Sequence, residues 1–272
     1  MKNFKKKTAQ ILGRKFQYFK GKDKIIRFLF SPDQNLESGE IFEIKYFGKR
    51  YQGITSNYID WGVYIYEGLE KGLVNYISSK ISEFNYFLDV GSNSGTISLP
   101  FCHLKNLKII CFEPLNYSYQ KLINNFNINE AYTNHQFYKL ALSNKTGDEK
   151  IYFSKTSSNI GMATLKKNID FNIFDQSETI KVDKLDNILD LQDQKIFIKV
   201  DIEKHENEFI EGALNLLKNN QILMYLETTD VVLLDKLKKM NFEIYFPRFV
   251  EGKFYFTNKQ YSHHVILKKF KI

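Results

Sequence analysis

The stretch "FLDVGSNSGTISL", residues 87–99, limits the fold more than any other part of this chain. A short apolar run, Phe87, Leu88 and Val90, is interrupted by Asp89 and ends at Gly91, and Gly95 follows four residues later. Beyond it, apolar positions return at helical spacing over residues 96–104. The pattern predicts strand, tight loop, helix. Glycine serves where backbone takes positive φ or passes close to a ligand, and a helix start beyond it offers unpaired N–H groups and a positive dipole end. Any strand-to-helix turn can carry two glycines, so the rest of the chain decides what this one holds.

From residue 85 onward, strands and helices alternate. The strands are "YFLDV", "LKIICFEP", "HQFYKLALS", "KIFIKVDI", "QILMYLE" and "NFEIYFP". The helices between them are "NYSYQKLINNFNINE", "HENEFIEGALNLLKNN" with Gly212 inside it, and "DVVLLDKLKKM". Residues 144–190 are rich in Ser, Asn and Lys and read as an insertion, and "KFYFT" with "HHVILKKF" reads as a closing antiparallel hairpin. This alternation predicts an α/β fold with a doubly wound, mainly parallel sheet. The organisation expected is a basic N-terminal arm and accessory segment over residues 1–84, with a hairpin at "IFEIKYFGKRYQGI", and a main domain over residues 85–272.

Ligands of such sheets sit beyond the carboxyl ends of the strands. Glu113 ends the second strand 22 positions past Gly91, the distance at which an acid accepts from ribose hydroxyls. NAD and S-adenosylmethionine both carry such a ribose. The dinucleotide fingerprint needs three glycines, but Gly91, Asn93 and Thr96 stand at those positions. A Gly-Lys-Ser/Thr phosphate loop is absent too. Asp89 would sit badly beside a pyrophosphate and suits the ammonium end of a methionine moiety. The loop logic therefore selects S-adenosylmethionine.

The chain is 43% hydrophobic and 15% aromatic, enough for a full core. Two cysteines, Cys102 and Cys111, suggest neither a disulfide framework nor a zinc site; they read as core thiols in a reducing, cytoplasmic setting. No apolar run approaches bilayer-spanning length, and "IIRFLF" makes a poor signal peptide.

The net charge of +8 is unevenly placed. Residues 1–30 hold ten Lys and Arg against the single acid Asp23, a net +9, which leaves the rest at −1. Basicity confined to an arm argues against nucleic acid as a partner. The arm reads as a contact for an anionic membrane surface, making the protein peripheral, or for a phosphorylated substrate, or as a solvated tail. Ile11, Leu12, Phe16 and Phe19 fall at helical spacing, which suits an interfacial helix or a stripe packed on the body. Deletion of the arm is expected to leave the main domain folded.

In order and spacing, "FLDVGSNSGTISL", "CFEP", "LALSNKTG" and "IKVDIEKHENEFIEGA" resemble the FkbM-type methyltransferases over about residues 60–230, with "YIYEG" and "MYLE" as further marks. The resemblance implies a Rossmann-like class I methyltransferase fold, S-adenosyl-L-methionine as methyl donor, and O-methylation of sugar or polyketide hydroxyls. Carried over by position, Asp89, Gly91, Asn93 and Gly95 form the cofactor loop, Glu113 binds ribose, and backbone around Ala141 and Leu142 flanks adenine. One departure stands out: the family's Asp-x-Glu-Gly-x-Glu reads Asp201-Ile202-Glu203-Lys204-His205-Glu206, with Lys204 replacing the glycine.

"VDIEKHE" therefore sets Asp201, Glu203, His205 and Glu206 at a strand end over the cofactor as candidate catalytic residues. Methyl transfer to oxygen needs the hydroxyl aligned with the methyl and its proton removed. Asp201 or His205 is the expected base. Glu203 and Glu206 would orient the acceptor, bind an ion or hold the loop, and the set also suits a divalent metal such as magnesium. Glu206 and Glu208 could equally just begin a helix. Glu67 in "YEG" is a further pocket candidate or a plain surface acid, and a structural role is expected for His263 and His264. The acceptor class is a small-molecule, glycan or glycolipid hydroxyl or a secondary metabolite. The alternatives are N-methylation of a small acceptor and a non-catalytic binding module.

Overall fold

The computed structural model describes residues 2–17, 19–36, 39–154, 158–159, 163–165, 174–250, 253–257 and 263–269. Five parallel strands make its centre: β3 (Tyr86–Val90), β4 (Lys108–Phe112), β5 (Gln136–Tyr138), β9 (Lys195–Val200) and β10 (Gln221–Glu227). The apolar runs of β3, β4, β9 and β10 are buried along almost their whole length, as a sheet covered on both faces demands, and β5 at the edge is half-buried. With β11 (Glu243–Val250), β12 (Lys253–Thr257) and β13 (His264–Lys269), the eight strands run in the order β12-β11-β13-β10-β9-β3-β4-β5. β3 pairs in parallel with β4 on one side and β9 on the other, so the winding reverses there. Ligand crevices open at such a reversal.

One face of the sheet packs under α7 (Glu206–Glu211), α8 (Leu214–Asn219) and α9 (Val231–Lys239), through Phe209, Ile210, Leu216, Leu217, Leu233 and Leu237. The other is covered by α5 (Asn116–Asn127) and by segments that precede the sheet: β1 (Ile41–Tyr46), β2 (Lys49–Ile54), α3 (Tyr58–Tyr66) and α4 (Lys71–Ser78). Tyr46, Tyr51, Val63, Val74 and Ile77 share one core with Phe87, Phe101, Ile109 and Phe197.

Several expectations are corrected. The helix expected after the glycine loop is a series of turns ending in a short 3₁₀ turn, Leu99–Phe101. Pro100 lacks an N–H and its ring clashes with a helical carbonyl, so the apolar spacing there packs turns instead. The helix expected over residues 205–220 is two, α7 and α8. Gly212 lies between them because a Cβ there would come 1.9 Å from the Ser143 carbonyl oxygen. The polar stretch 144–190 is in part ordered: β7 (Gly147–Phe153) and β8 (Gln176–Asp183) form a small sheet with β6 (Ala141–Leu142), and the short helix α6 (Leu185–Ile188) follows. "KFYFT" pairs with the end of β11, and β13 inserts antiparallel between β10 and β11.

The basic arm is also not a free tail. It forms α1 (Lys2–Lys15) and α2 (Lys22–Leu29), and Ala9, Ile26 and Phe30 pack on Trp61 and Ile65 of α3. Leu12 joins that contact, while Ile11, Phe16 and Phe19 stay exposed. Removing the arm would bare Trp61 and Ile65, so of the readings open for the arm these contacts favour the one in which it packs on the body.

Candidate active site

The ends of β3, β4 and β9 open into a cavity lined by Gly91, Asn93, Glu113, Leu142, Lys199, Asp201, Glu203 and His205. Gly91 makes the floor possible. Its φ is +77°, and a Cβ would lie 2.0 Å from the carbonyl oxygen of Asp201, so only glycine lets the loop pass beneath β9. Gly95, also at positive φ, packs against Leu122 and lies outside the cavity lining.

Glu113 closes one end. Its Oε2 accepts the Asn93 N–H and its Oε1 the Leu115 N–H, both at 2.9 Å. Burial pushes the carboxyl up to about 7 against the pull of those two donors. Each oxygen keeps a further lone pair for a ligand hydroxyl. Beside it, Phe112, Leu115, Leu140, Ala141, Leu142 and Ile151 form an apolar wall of the cavity.

At the other end a buried cation organises the acids. Lys199 interrupts the apolar strand β9, and its Nζ donates to the Gly91 carbonyl at 2.9 Å. It stands 3.8 Å from Asp89 and 3.6 Å from Asp201. Burial disfavours its charge, but Asp201, Asp89 and Glu70 together raise its pKa, so it stays protonated. Asp89 is fully buried beneath the loop and does not line the cavity; burial pushes its carboxyl up, while Lys199 and Ser98 pull it down. Asp201 is held below the usual range, because Lys199 and a hydrogen bond from Glu227 outweigh burial. Glu227, at the adjacent end of β10, is pushed up to about 8 by burial and by Asp201, so it holds a proton at neutral pH.

The remaining candidates separate. Glu203 lines the cavity, and burial followed by the charges of Asp201 and Glu206 pushes it up to about 7. His205 lines it too, with Nε2 3.1 Å from Ser143 Oγ and Nδ1 3.6 Å from Glu208; burial lowers its pKa, so the ring is neutral at pH 7. Glu206 is not brought to the cavity: its Oε1 accepts the Lys204 N–H at 2.9 Å and braces the loop. Among the described residues, no group of three or more His, Cys, Asp or Glu is placed to hold a metal ion.

Sequence reasoning missed Glu70, which lines the cavity and is pushed up to about 7 by burial. The weaker candidate Glu67 is exposed and paired with Lys71 at 3.0 Å. It also missed Lys199, although a lysine inside "KIFIKV" is a legible signal that buried acids lie nearby. His264 stacks on Tyr225 at 5.0 Å between ring centres. Cys102 and Cys111 are buried and free.

Comparison with known proteins adds the family. The chain matches no curated protein. Among solved structures it is similar to a precorrin-6y C5,15-methyltransferase from Geobacter metallireducens, at 15% identity, 73% of this chain, 88% of that one and a TM-score of 0.41. A Pyrococcus abyssi tRNA (uracil-54, C5)-methyltransferase in complex with S-adenosyl-L-homocysteine gives 12%, 84%, 43% and 0.45. The Aquifex aeolicus tRNA (m1A58) methyltransferase TrmI gives 12%, 74%, 69% and 0.36. The model of the methyltransferase FkbM domain matches residues 89–266, well over half of the chain, from the end of β3 through β4 and β9. The chain belongs to the FkbM methyltransferase family.

Proposed function

We propose that the protein is an S-adenosylmethionine-dependent O-methyltransferase acting on a hydroxyl of a sugar, glycan, glycolipid or secondary metabolite, in a reducing, cytoplasmic setting. The observation that carries the cofactor reading is the charge of the cavity. Among the described residues, Glu70, Glu113, Asp201 and Glu203 line it against one lysine, Lys199. Such a site suits a ligand bearing a sulfonium and an ammonium and opposes a pyrophosphate. Buried Asp89, one layer below and 3.8 Å from Lys199, is a further acid beside the same cation.

The residues divide the work. Glu113 would accept the ribose hydroxyls, and the wall around Leu142 and Phe112 would cover the base. Glu70 and Asp201 would face the methionine end, with Lys199 keeping the acids from repelling one another. When bound, S-adenosylmethionine supplies an electrophilic methyl group. The protein's own task is to place the acceptor hydroxyl and take its proton. Asp201, tied to Lys199 and Glu227, is a weak base. Glu203, which accepts no side-chain hydrogen bond among the described residues and has its pKa near neutrality, is the better one, with His205 shaping the acceptor side.

Calorimetry tests the reading. S-adenosylhomocysteine is expected to bind and NAD not to, and Glu113→Ala is expected to weaken binding by about 1.5–3 kcal/mol, the range for hydrogen bonds to a charged group. Binding of NAD with no heat from S-adenosylhomocysteine would overturn it.

A further inference from the structure

The docked arm has two faces, and its charged residues sort between them. α1 and α2 run antiparallel, with Lys5 over the Phe28 ring at one end and Lys22 donating to the carbonyls of Gly13 and Phe16 at the other. Lys6, Arg14, Lys22 and Arg27 are used inward. Lys6 pairs with Glu40, Arg14 donates to the Tyr64 carbonyl, and Arg27 lies over the rings of Tyr58 and Trp61. Asp23, the arm's single acid, is bonded by the Tyr66 hydroxyl at 2.8 Å. Lys5, Lys7, Lys15, Lys20 and Lys24 are left exposed.

The same hairpin exposes an unusual amount of large apolar side chain: Phe4 76%, Phe28 75%, Phe16 54%, Ile25 45%, Ile11 41% and Phe19 41%. Single exposed apolar residues are ordinary, but six on one short helical hairpin, interleaved with five lysines, are not. No helix among the described residues is long and apolar enough to cross a membrane, so such a surface can lie on a bilayer and not span one.

We infer that the outer face of α1 and α2 is a docking surface for an anionic lipid bilayer, with Phe4, Phe28 and Ile25 entering the headgroup boundary and the exposed lysines facing acidic lipid. Charge complementarity selects this occupant: a face of five cations with its one acid turned to Tyr66 repels a second copy of itself. The inference stands apart from the methyl-transfer reading, because none of these residues lines the cavity.

The experiment is co-sedimentation of the full chain with phosphatidylcholine vesicles, with and without phosphatidylglycerol. Binding is expected only with phosphatidylglycerol, and is expected to fall as salt rises. At about 1 kcal/mol per basic residue, Lys5→Gln with Lys24→Gln lowers the partition by about 10- to 30-fold. Phe4→Ser with Phe28→Ser abolishes it. Both variants keep the wild-type melting temperature, since all four side chains are exposed. Absence of binding to acidic vesicles at low salt overturns the inference. So does a wild-type dimer in solution that Phe28→Ser dissociates, because the face would then be an interface between copies.

Discussion

Lys204 stands where the family usually has glycine, yet its backbone takes the glycine conformation, with φ +73° after Glu203 at +52°. Two successive side-chain-bearing residues in the left-handed region cost roughly 1–2 kcal/mol each. Glu206 offsets part of this by accepting the Lys204 N–H. Lys204→Gly is therefore expected to leave stability unchanged or raise it by up to about 1 kcal/mol, since relief of strain is partly cancelled by glycine's chain entropy. A denaturant midpoint that falls clearly on this change would show that the lysine side chain itself holds the loop. This turn sets Glu203 in the cavity lining. With its pKa pushed up to about 7 from 4.5, Glu203 ionises across the neutral range, so methyl transfer should rise through about pH 7 and level off above it. Glu203→Gln should remove that rise and most of the rate while S-adenosylhomocysteine still binds. The same shift has a stability sign. The folded carboxyl holds its proton longer than the unfolded one, so its contribution is present at low pH and is lost as pH rises from about 4.5 to about 7. Glu203→Gln should thus gain stability relative to the wild type at pH 8 compared with pH 4, a comparison that thermal melts at the two pH values make directly.

The glycine loop is braced from outside its own βα unit. Tyr51 of β2 bonds Asp60 of α3 at 2.6 Å and Ser94 of the loop at 2.7 Å, and Asp60 also accepts the Ile54 N–H and pairs with Lys121. Asn125 of α5 donates to the Ser94 carbonyl. Tyr51, Asp60, Ser94 and Asn125 are buried, so Tyr51→Phe leaves polar atoms short of a partner and is expected to cost about 1–3 kcal/mol. Because Ser94 is part of the loop, S-adenosylhomocysteine binding should weaken with it; unchanged affinity in calorimetry would show that the loop holds its shape without this brace. The sequence pattern made the strands and their parallel winding legible, because apolar runs of five to seven residues between amphipathic helices admit few other arrangements. It also made Gly91, Asn93, Glu113 and Asp201 legible, through spacing from the strand ends. What it hid was long-range. Nothing local marks Tyr51 and Asp60 as the loop's support, Glu70 as a cavity acid in place of Glu67, or the Ser143 carbonyl as the reason for Gly212. Spacing also overrode Pro100 in the helix expectation, where the ring's steric demand should have prevailed.

Acids outnumber cations in the cavity and cations outnumber acids on the hairpin of α1 and α2, yet the two regions are mechanically joined. Asp33, just after α2, accepts from Ser158 Oγ at 2.5 Å, and the Ser158 carbonyl accepts the Tyr58 N–H at the start of α3. Ile59 of α3 and Asn159 both line the cavity. The hairpin thus bears on a cavity wall through α3, against which Ile26 and Phe30 are buried and to which the Trp61 indole is tied by its bond to the Phe30 carbonyl. Deleting residues 1–30 removes those contacts. Fully burying one such side chain contributes about 1.5–3 kcal/mol, so losing Ile26 and Phe30 alone costs roughly 3–6 kcal/mol and leaves Trp61 and Ile65 facing water. At about 2–4 °C per kcal/mol for a chain approaching this size, a thermal melt of the deletion should show a drop of several degrees or more. Cofactor affinity should fall too, because Ile59 loses its support, although no residue of the hairpin touches the cavity. Equal melting temperatures and equal S-adenosylhomocysteine affinities for the full and shortened chains would mean that α3 holds its place unaided, and that the arm is only an attachment to the surface.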